Sequence, residues 1–560
     1  MTKTAQTSKP LPLIGQRPLS AKEQVQRAQA LACNLPEKNK PSCSGQVFFG
    51  VFFDGTGNNR DADLPIHKQS NVVRLWRVHL RNADELAIAP PVLWDKEYVP
   101  GVGTPFPEIG EKGSSKFGKA IASGGQPRIF WGLIQTINVM HRYVQGGKRL
   151  ISLGEAGDFA KSQGDGDPNA ALTALAKKVV ELKNVLRGTK PTITQFNISV
   201  FGFSRGAAQA RVFCNWFYRL CEKTGDGYSF AGVPVRIAFL GIFDTVAAVG
   251  ATSLDVFKDE IAAGHAGWAK GNLAIHPAIE RCVHFVASHE VRSCFPLDSV
   301  RLNGSYPANC VEITYPGVHS NVGGGYKPLT QGRSPLPRDA NTYSFCAIAP
   351  AIDMHKEALA SGVPLRALAQ MNKEETRDFT ASPQAAADYN AFINADSASG
   401  SVEEICAQKM HRYRFYRYKK LTTFVDEASQ QGAPAADVNF LRLTNRDFKE
   451  KCHEFKQKYR RIAEQIEREK MDRLRGVESN DRRTFAEKKE ELLRKNFYPE
   501  DLAMWEGMHR VGTLPDAVTK FFDQYVHDSL AGFAQDGVHE YKFNGRGMFR
   551  QRTVYDKGGH

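Results

Sequence analysis

The chain has 560 residues, 42% of them hydrophobic and 24% charged, which excludes a disordered, collagen-like or coiled-coil rod protein and suits about three to four domain-sized units or two larger ones. The formal net charge of +14 favours anionic partners such as lipid head groups, nucleic acid or an acidic protein, without choosing among them. No apolar run approaches the ~20 residues of a membrane span, and the nearest, Ile129 to Val144, is interrupted by Gln135, Asn138, His141 and Arg142.

Residues 1–45 are polar and Pro-punctuated, with helical periodicity only at Ala21 to Leu31, and read as an arm. They show neither a secretory signal nor a lipid anchor, so the expected route out of the cell is independent of a signal peptide. At VFFGVFF (47–53) a continuous apolar run meets the turn signal DGTGNN, the pattern of a strand buried in a parallel sheet. A helix is expected over Asn169 to Arg187, where Leu172, Leu175, Val179, Leu182 and Leu186 recur at helical spacing, with Asp167 as cap, Pro168 in the first turn and Gly188 as stop.

Next come FNISVF (196–201), a tight turn and an apolar helix from about Ala207 to Cys221. VRIAFLGIF (235–243), CVHFVA (282–287) and CVEITY (310–315) read as further strands. Apolar strands separated by crossovers of this length predict an α/β fold, a mostly parallel sheet with helices on both faces, as the core of residues 46–350. Residues 351–515 are a helix-rich basic module, with 18 basic against 13 acidic residues over 441–500 and a stripe of Phe455, Tyr459, Ile462 and Ile466. Residues 516–560 are expected to return to the core. The ten cysteines form no CxxC pair or zinc-ligand spacing, which predicts free thiols, one or two disulfides being the alternative.

The sharpest chemical signal is GFSRG (202–206), because it lies between a predicted strand and a predicted helix. In a nucleophile elbow the serine, here Ser204, occupies a strained turn. Small residues such as Gly202 and Gly206 avoid clashes there, and the helix N-terminus faces the developing oxyanion. The alternative is an incidental or phosphate-binding turn. An α/β-hydrolase orders its triad Ser, Asp or Glu, His. Asp244, at the end of the most apolar strand, supplies the acid, with Asp298 as rival. His319, in the glycine-rich loop YPGVHSNVGGGY, supplies the base. His284 and His289 read as strand or strand-end residues. The HEV at 289–291 lacks the second histidine of a metal motif, so no metal and no cofactor is expected. One oxyanion donor would be the Arg205 amide and the other Gly55 or Thr56, with Asp54 bracing their loop. The run HRYRFYRYKK (411–420) mixes cations and aromatics in a way that suits an anionic bilayer interface and equally an ordinary helix. The HDS triplet, His527 to Ser529, is read as structural, on an amphipathic helix near the rim of the site.

FFDGTGNN (52–59), YVPGVGT (98–104), GFSRGAA (202–208), FDTVAAVG (243–250) and GVHSNVGGGY (317–326) occur in the order and spacing of bacterial type VI secretion phospholipase effectors, the first family of antibacterial lipase effectors. FFDQYVHDSLAGF (521–533) and GMFRQRTVY (547–555) also resemble that family's ending. The resemblance implies an α/β-hydrolase with phospholipase A1 or A2 activity, in which Ser204 is the nucleophile, His319 the base and Asp244 the acid. It further implies loading on a VgrG spike, action in the periplasm of a rival bacterium, a phospholipid membrane surface as substrate and a cognate immunity protein. It places membrane contact in the helical module. Two other readings remain at this level: a soluble esterase or acyl-transfer enzyme on the same fold, and a basic nucleic-acid-binding or scaffold protein. No nucleic-acid partner is expected, because no recognition-module signature is present.

Overall fold

The computed structural model describes residues 4–32, 44–82, 92–113, 124–164, 167–225, 227–247, 265, 267–292, 295–335, 346–475, 484–510, 512–532 and 552–559. Residues 248–250, 533 and 547–551 of the motifs above, and Cys33, Cys43 and Cys294, lie outside them. The strands in chain order are β1 (Gln6–Thr7), β2 (Ser44–Phe53), β3 (Val92–Val99), β4 (Thr192–Phe203), β5 (Glu222–Thr224), β6 (Gly227–Phe230), β7 (Val233–Phe243), β8 (Cys282–Ala287), β9 (Leu297–Asp298), β10 (Cys310–Tyr315) and β11 (Val554–Tyr555).

A nine-stranded sheet runs β1-β10-β8-β7-β4-β2-β3, with β5 and β6 attached beside β7 and β11 paired separately with β9. Every pair along that path is parallel, and only the β5–β6 and β6–β7 pairs are antiparallel. The runs expected as strands are strands, because buried parallel strands need apolar residues on both faces. Val47, Phe49, Val51 and Phe53 of β2 pack on one side with the helices Gly125–Val144, Pro168–Arg187 and Arg205–Arg219. Asp167 caps Pro168–Arg187 through the Asn169 amide, and Leu172, Leu175, Val179 and Leu182 of that helix are buried. Phe52, Phe201, Phe239 and Phe285 line the other face, which follows from the two-residue side-chain period of a strand.

That second face is covered by Asn71–Val78, Ile348–Ala360 and helices from the C-terminal half, in one continuous apolar cluster that reaches Phe448, Phe455 and Phe522. The change of texture near Ala351 therefore marks a change of secondary structure rather than a break in packing. The forty-residue helix Ala435–Leu474 buries Phe455, Ile462 and Ile466 and half-buries Tyr459. The N-terminal segment is docked: β1 pairs with β10, Gln6 opposite Ile313, and Ala21–Leu31 begins at a Ser20–Glu23 capping box.

The run 411–420 lies within and just beyond the helix Val402–Lys419, and Tyr413 to Arg417 are buried. Arg417 stacks 3.3 Å over Phe424 and pairs with Asp528 at 3.2 Å, so its charge is met inside the fold, while Lys419 is exposed. Among the described residues no helix is long and apolar enough to cross a membrane. The seven described cysteines are free thiols.

Candidate active site

The chain passes from β2 outward to β3, then returns to place β4 on the other side of β2 and continues through β7, β8 and β10. The strand order thus reverses between β2 and β4, and in open parallel sheets the crevice at the strands' C-terminal ends at such a reversal is where ligands bind. FFDGTGNN leaves β2 there and GFSRG leaves β4 beside it.

Ser204 follows the last residue of β4 at φ 58°, ψ −126°, a left-handed position unusual for a serine, and the helix Arg205–Arg219 begins at the next residue. Its N–H donates to the Phe243 carbonyl at 3.0 Å, which joins the elbow to the end of β7. The turn closes tightly. A Cβ on Gly206 would stand 2.3 Å from the Asp54 carbonyl oxygen, and one on Gly202 would stand 2.5 Å from the Gly206 carbonyl oxygen. Arg205 opens the helix, so its N–H is directed out of the helix end.

Asp244 follows β7 at φ 40° and is fully buried. The Ala287 N–H donates to its Oδ1 at 2.8 Å, and His319 Nδ1 lies 2.6 Å from its Oδ2. The carboxylate accepts on that side, which makes Nδ1 the protonated nitrogen and leaves Nε2 as a base. Two further bonds come from Arg552: Nη1 donates to Oδ2 at 2.8 Å and Nη2 to Oδ1 at 2.7 Å. Burial alone would raise the Asp244 carboxyl, but the Arg552 guanidinium and the His319 imidazole hold it well below the usual carboxylate range.

His319 begins the short helix His319–Gly323, and its ring centroid is 4.7 Å from that of Phe203 and 5.0 Å from that of Phe295. Its backbone N–H donates to Glu290 Oε2 at 2.9 Å. Burial lowers the imidazole pKa against the opposing pull of Asp244, so the resting ring is neutral. Burial would raise Glu290, yet Arg292, donating from Nε at 2.9 Å, holds it at about 2.

In the loop after β2, the Gly55 N–H donates to Asp54 Oδ1 at 2.8 Å, and the Tyr98 hydroxyl donates to Asp54 Oδ2 at 2.6 Å. Asp54 therefore braces the loop, and YVPGVGT meets FFDGTGNN through Tyr98. With the Gly55 amide occupied, Thr56 is the better placed of the two expected donors. Its Oγ1 is buried with no partner among the described residues.

The other expected residues are engaged elsewhere. Asp298 receives the Ala247 N–H at 2.9 Å and contacts His265 Nε2 at 2.5 Å. His284 lies between the Thr245 amide and Glu312, and His289 Nδ1 accepts from the Gly317 N–H at 2.8 Å. His527 to Ser529 lie just past the helix Asp516–Tyr525 rather than on it. The His527 ring stacks on Tyr326 at 3.7 Å, and Ser529 Oγ donates to Glu290 Oε1 at 2.7 Å. Glu290, Arg292 and Arg552 carried no role in the sequence reading. Glu290 was visible only inside the incomplete metal pattern, and Arg552 only inside GMFRQRTVY. Among the described residues no cluster of three or more metal-ligating side chains forms.

The family model described as T6SS, phospholipase effector Tle1-like, catalytic domain, matches residues 49–225 and 219–345. The crystal structure of an uncharacterized protein from Pseudomonas aeruginosa matches with a TM-score of 0.70 at 24% identity, covering 99% of this chain and 85% of that one. The structure of the Tle1 effector bound to the VgrG spike of the type 6 secretion system gives a TM-score of 0.27 at 21% identity, covering 53% of this chain and 56% of that one. No curated protein matches the chain.

Proposed function

Because the chain belongs to the T6SS Tle1-like phospholipase effector family through a catalytic domain matched over 49–225 and 219–345, we propose that it is a serine phospholipase A. In this reading it cleaves acyl esters of membrane glycerophospholipids with Ser204, His319 and Asp244. The observation that carries the reading is a strained serine elbow whose Ser204 N–H donates to the Phe243 carbonyl, one residue before an Asp244 that lies 2.6 Å from His319, at the reversal of a parallel sheet.

Ser204 Oγ attacks the ester carbonyl while His319 Nε2 takes its proton. The oxyanion that forms is held by the Arg205 and Thr56 amides at the helix N-terminus and the β2 loop. His319 returns the proton to the leaving lysophospholipid alkoxide, and the acyl chain stays on Ser204. A water that gives its proton to His319 then attacks the acyl carbonyl, and the fatty acid leaves as His319 returns that proton to Ser204 Oγ. Asp244 keeps Nδ1 protonated and stabilises the imidazolium without itself taking the proton.

As an effector of this family, the protein would be loaded on a VgrG spike, act on the phospholipid membrane surface of a target bacterium from its periplasm, and be neutralised in sister cells by an immunity protein. Cleavage at sn-1, sn-2 or both fits the same triad. The test is fatty-acid release from phosphatidylethanolamine/phosphatidylglycerol vesicles by wild type and Ser204→Ala, with acyl position assigned by mass spectrometry. Release by wild type alone is expected. Release by the variant, or by neither folded protein, would contradict the reading, and activity confined to monomeric short-chain esters would point to a soluble esterase.

A further inference from the structure

Four donors fill the Asp244 carboxylate, two to each oxygen: His319 and Arg552 Nη1 on Oδ2, Ala287 and Arg552 Nη2 on Oδ1. Arg552 Nη2 also donates to the Ala287 carbonyl at 2.7 Å, so the guanidinium bridges the acid to the end of β8. Its position is set by backbone bonds. The Leu297 N–H donates to the Thr553 carbonyl at 2.8 Å, and the Ser299 N–H to the Tyr555 carbonyl at 2.9 Å. Further along, the Gly271 N–H donates to the Gly559 carbonyl at 2.9 Å. The end of the chain is thus stitched to the core on both sides of β11, and the stitching begins one residue after Arg552.

Resting on the triad reading above, we propose that Arg552 is a positioning residue for the catalytic acid: its fork fixes the Asp244 carboxylate against rotation, and its charge tempers the basicity of His319. Four charged groups surround the imidazole, from three places. Asp244 follows β7, Glu290 and Arg292 follow β8, and Arg552 precedes β11. The Cys406 thiol, on Val402–Lys419, faces the same guanidinium and is pushed up to about 12 by burial, so it contributes no charge at neutral pH. Two carboxylates and two guanidiniums surround the ring, so the site balances with the imidazole neutral, the form that accepts the Ser204 proton. Without Arg552 one anion is in excess, and imidazolium is favoured before substrate reacts.

A purely structural clip would change melting temperature without moving the titration of His319. The discriminating measurement is kcat/KM against pH on a monomeric short-chain phospholipid, for wild type, Arg552→Met and Arg552→Lys, with Ser204→Ala as the zero and circular dichroism as the fold check. In R552M the acidic limb should move up by about one pH unit. Its kcat should fall by about 10²-fold as the acid loosens, with KM little changed. R552K keeps the charge but not the planar fork, so its limb should stay at the wild-type pH while kcat falls. A folded R552M whose limb coincides with that of wild type would overturn the proposal. If R552M does not fold, wild-type kcat in R552K would overturn it instead. Turnover surviving in Ser204→Ala would remove the triad reading itself, a separate failure.

Discussion

Asp54 shows how a single buried carboxyl braces the loop after β2. It is 1% exposed and accepts hydrogen bonds from Tyr98 and from the Gly55 amide, yet burial outweighs them and raises its pKa to about 6. A carboxyl with a folded-state pKa above its unfolded value near 3.8 retains a proton that the unfolded chain has released. Stability therefore falls as pH rises from about 4 to about 6, and the cost persists above that window. Asp54→Asn removes this titration. The melting temperature of the variant should gain on wild type across the same window, reflecting on the order of 3 kcal/mol, and then level off. Parallel curves from pH 4 to 8 would show that Asp54 is ionised in the fold at little cost. Asp244 behaves oppositely, because His319 and the Arg552 fork reward its ionised form.

At the scale of elements, the elbow depends on β4, β2 and the helix Arg205–Arg219 approaching closer than a side chain permits. A Gly206 Cβ would meet the Asp54 and Phe53 carbonyl oxygens at 2.3 and 2.4 Å, and these atoms belong to the end of β2 and the start of the loop expected to carry an oxyanion donor. Gly206→Ala should leave a folded protein destabilised by about 1–3 kcal/mol. It should also lose roughly 10²-fold in kcat, because the loop and Ser204 separate. Near-wild-type kcat in that variant would mean that the loop takes no part in catalysis. These elements were legible in the sequence because buried strands announce themselves as continuous apolar runs, and Pro168–Arg187 because Asp167, Pro168 and Gly188 frame its periodicity. The run 411–420 was ambiguous, since only the fold reveals that Arg417 lies on Phe424 and pairs with Asp528. Strand β1 was illegible for a different reason: it is two residues held by backbone bonds, which leave no side-chain pattern.

At the scale of the whole molecule, residues far apart in sequence meet around Asp244 and His319. Ser204, Asp244 and His319 could be ordered from sequence because each lies at a strand end or a glycine-rich loop. Arg552 could not, because 308 residues separate it from Asp244 and nothing local marks a guanidinium that will be buried beside a carboxylate. Ser529 and His527 likewise reach the surroundings of His319 only because the helix Asp516–Tyr525 brings the chain back to the sheet. The central claim, that Ser204 is an activated nucleophile, is tested most directly by treating the protein with a long-chain alkyl fluorophosphonate and locating the adduct by peptide mass spectrometry. One phosphonate per chain on Ser204, formed in step with loss of vesicle hydrolysis and absent from His319→Ala, is the predicted result. An adduct on another residue, or full hydrolysis by protein labelled at Ser204, would contradict it.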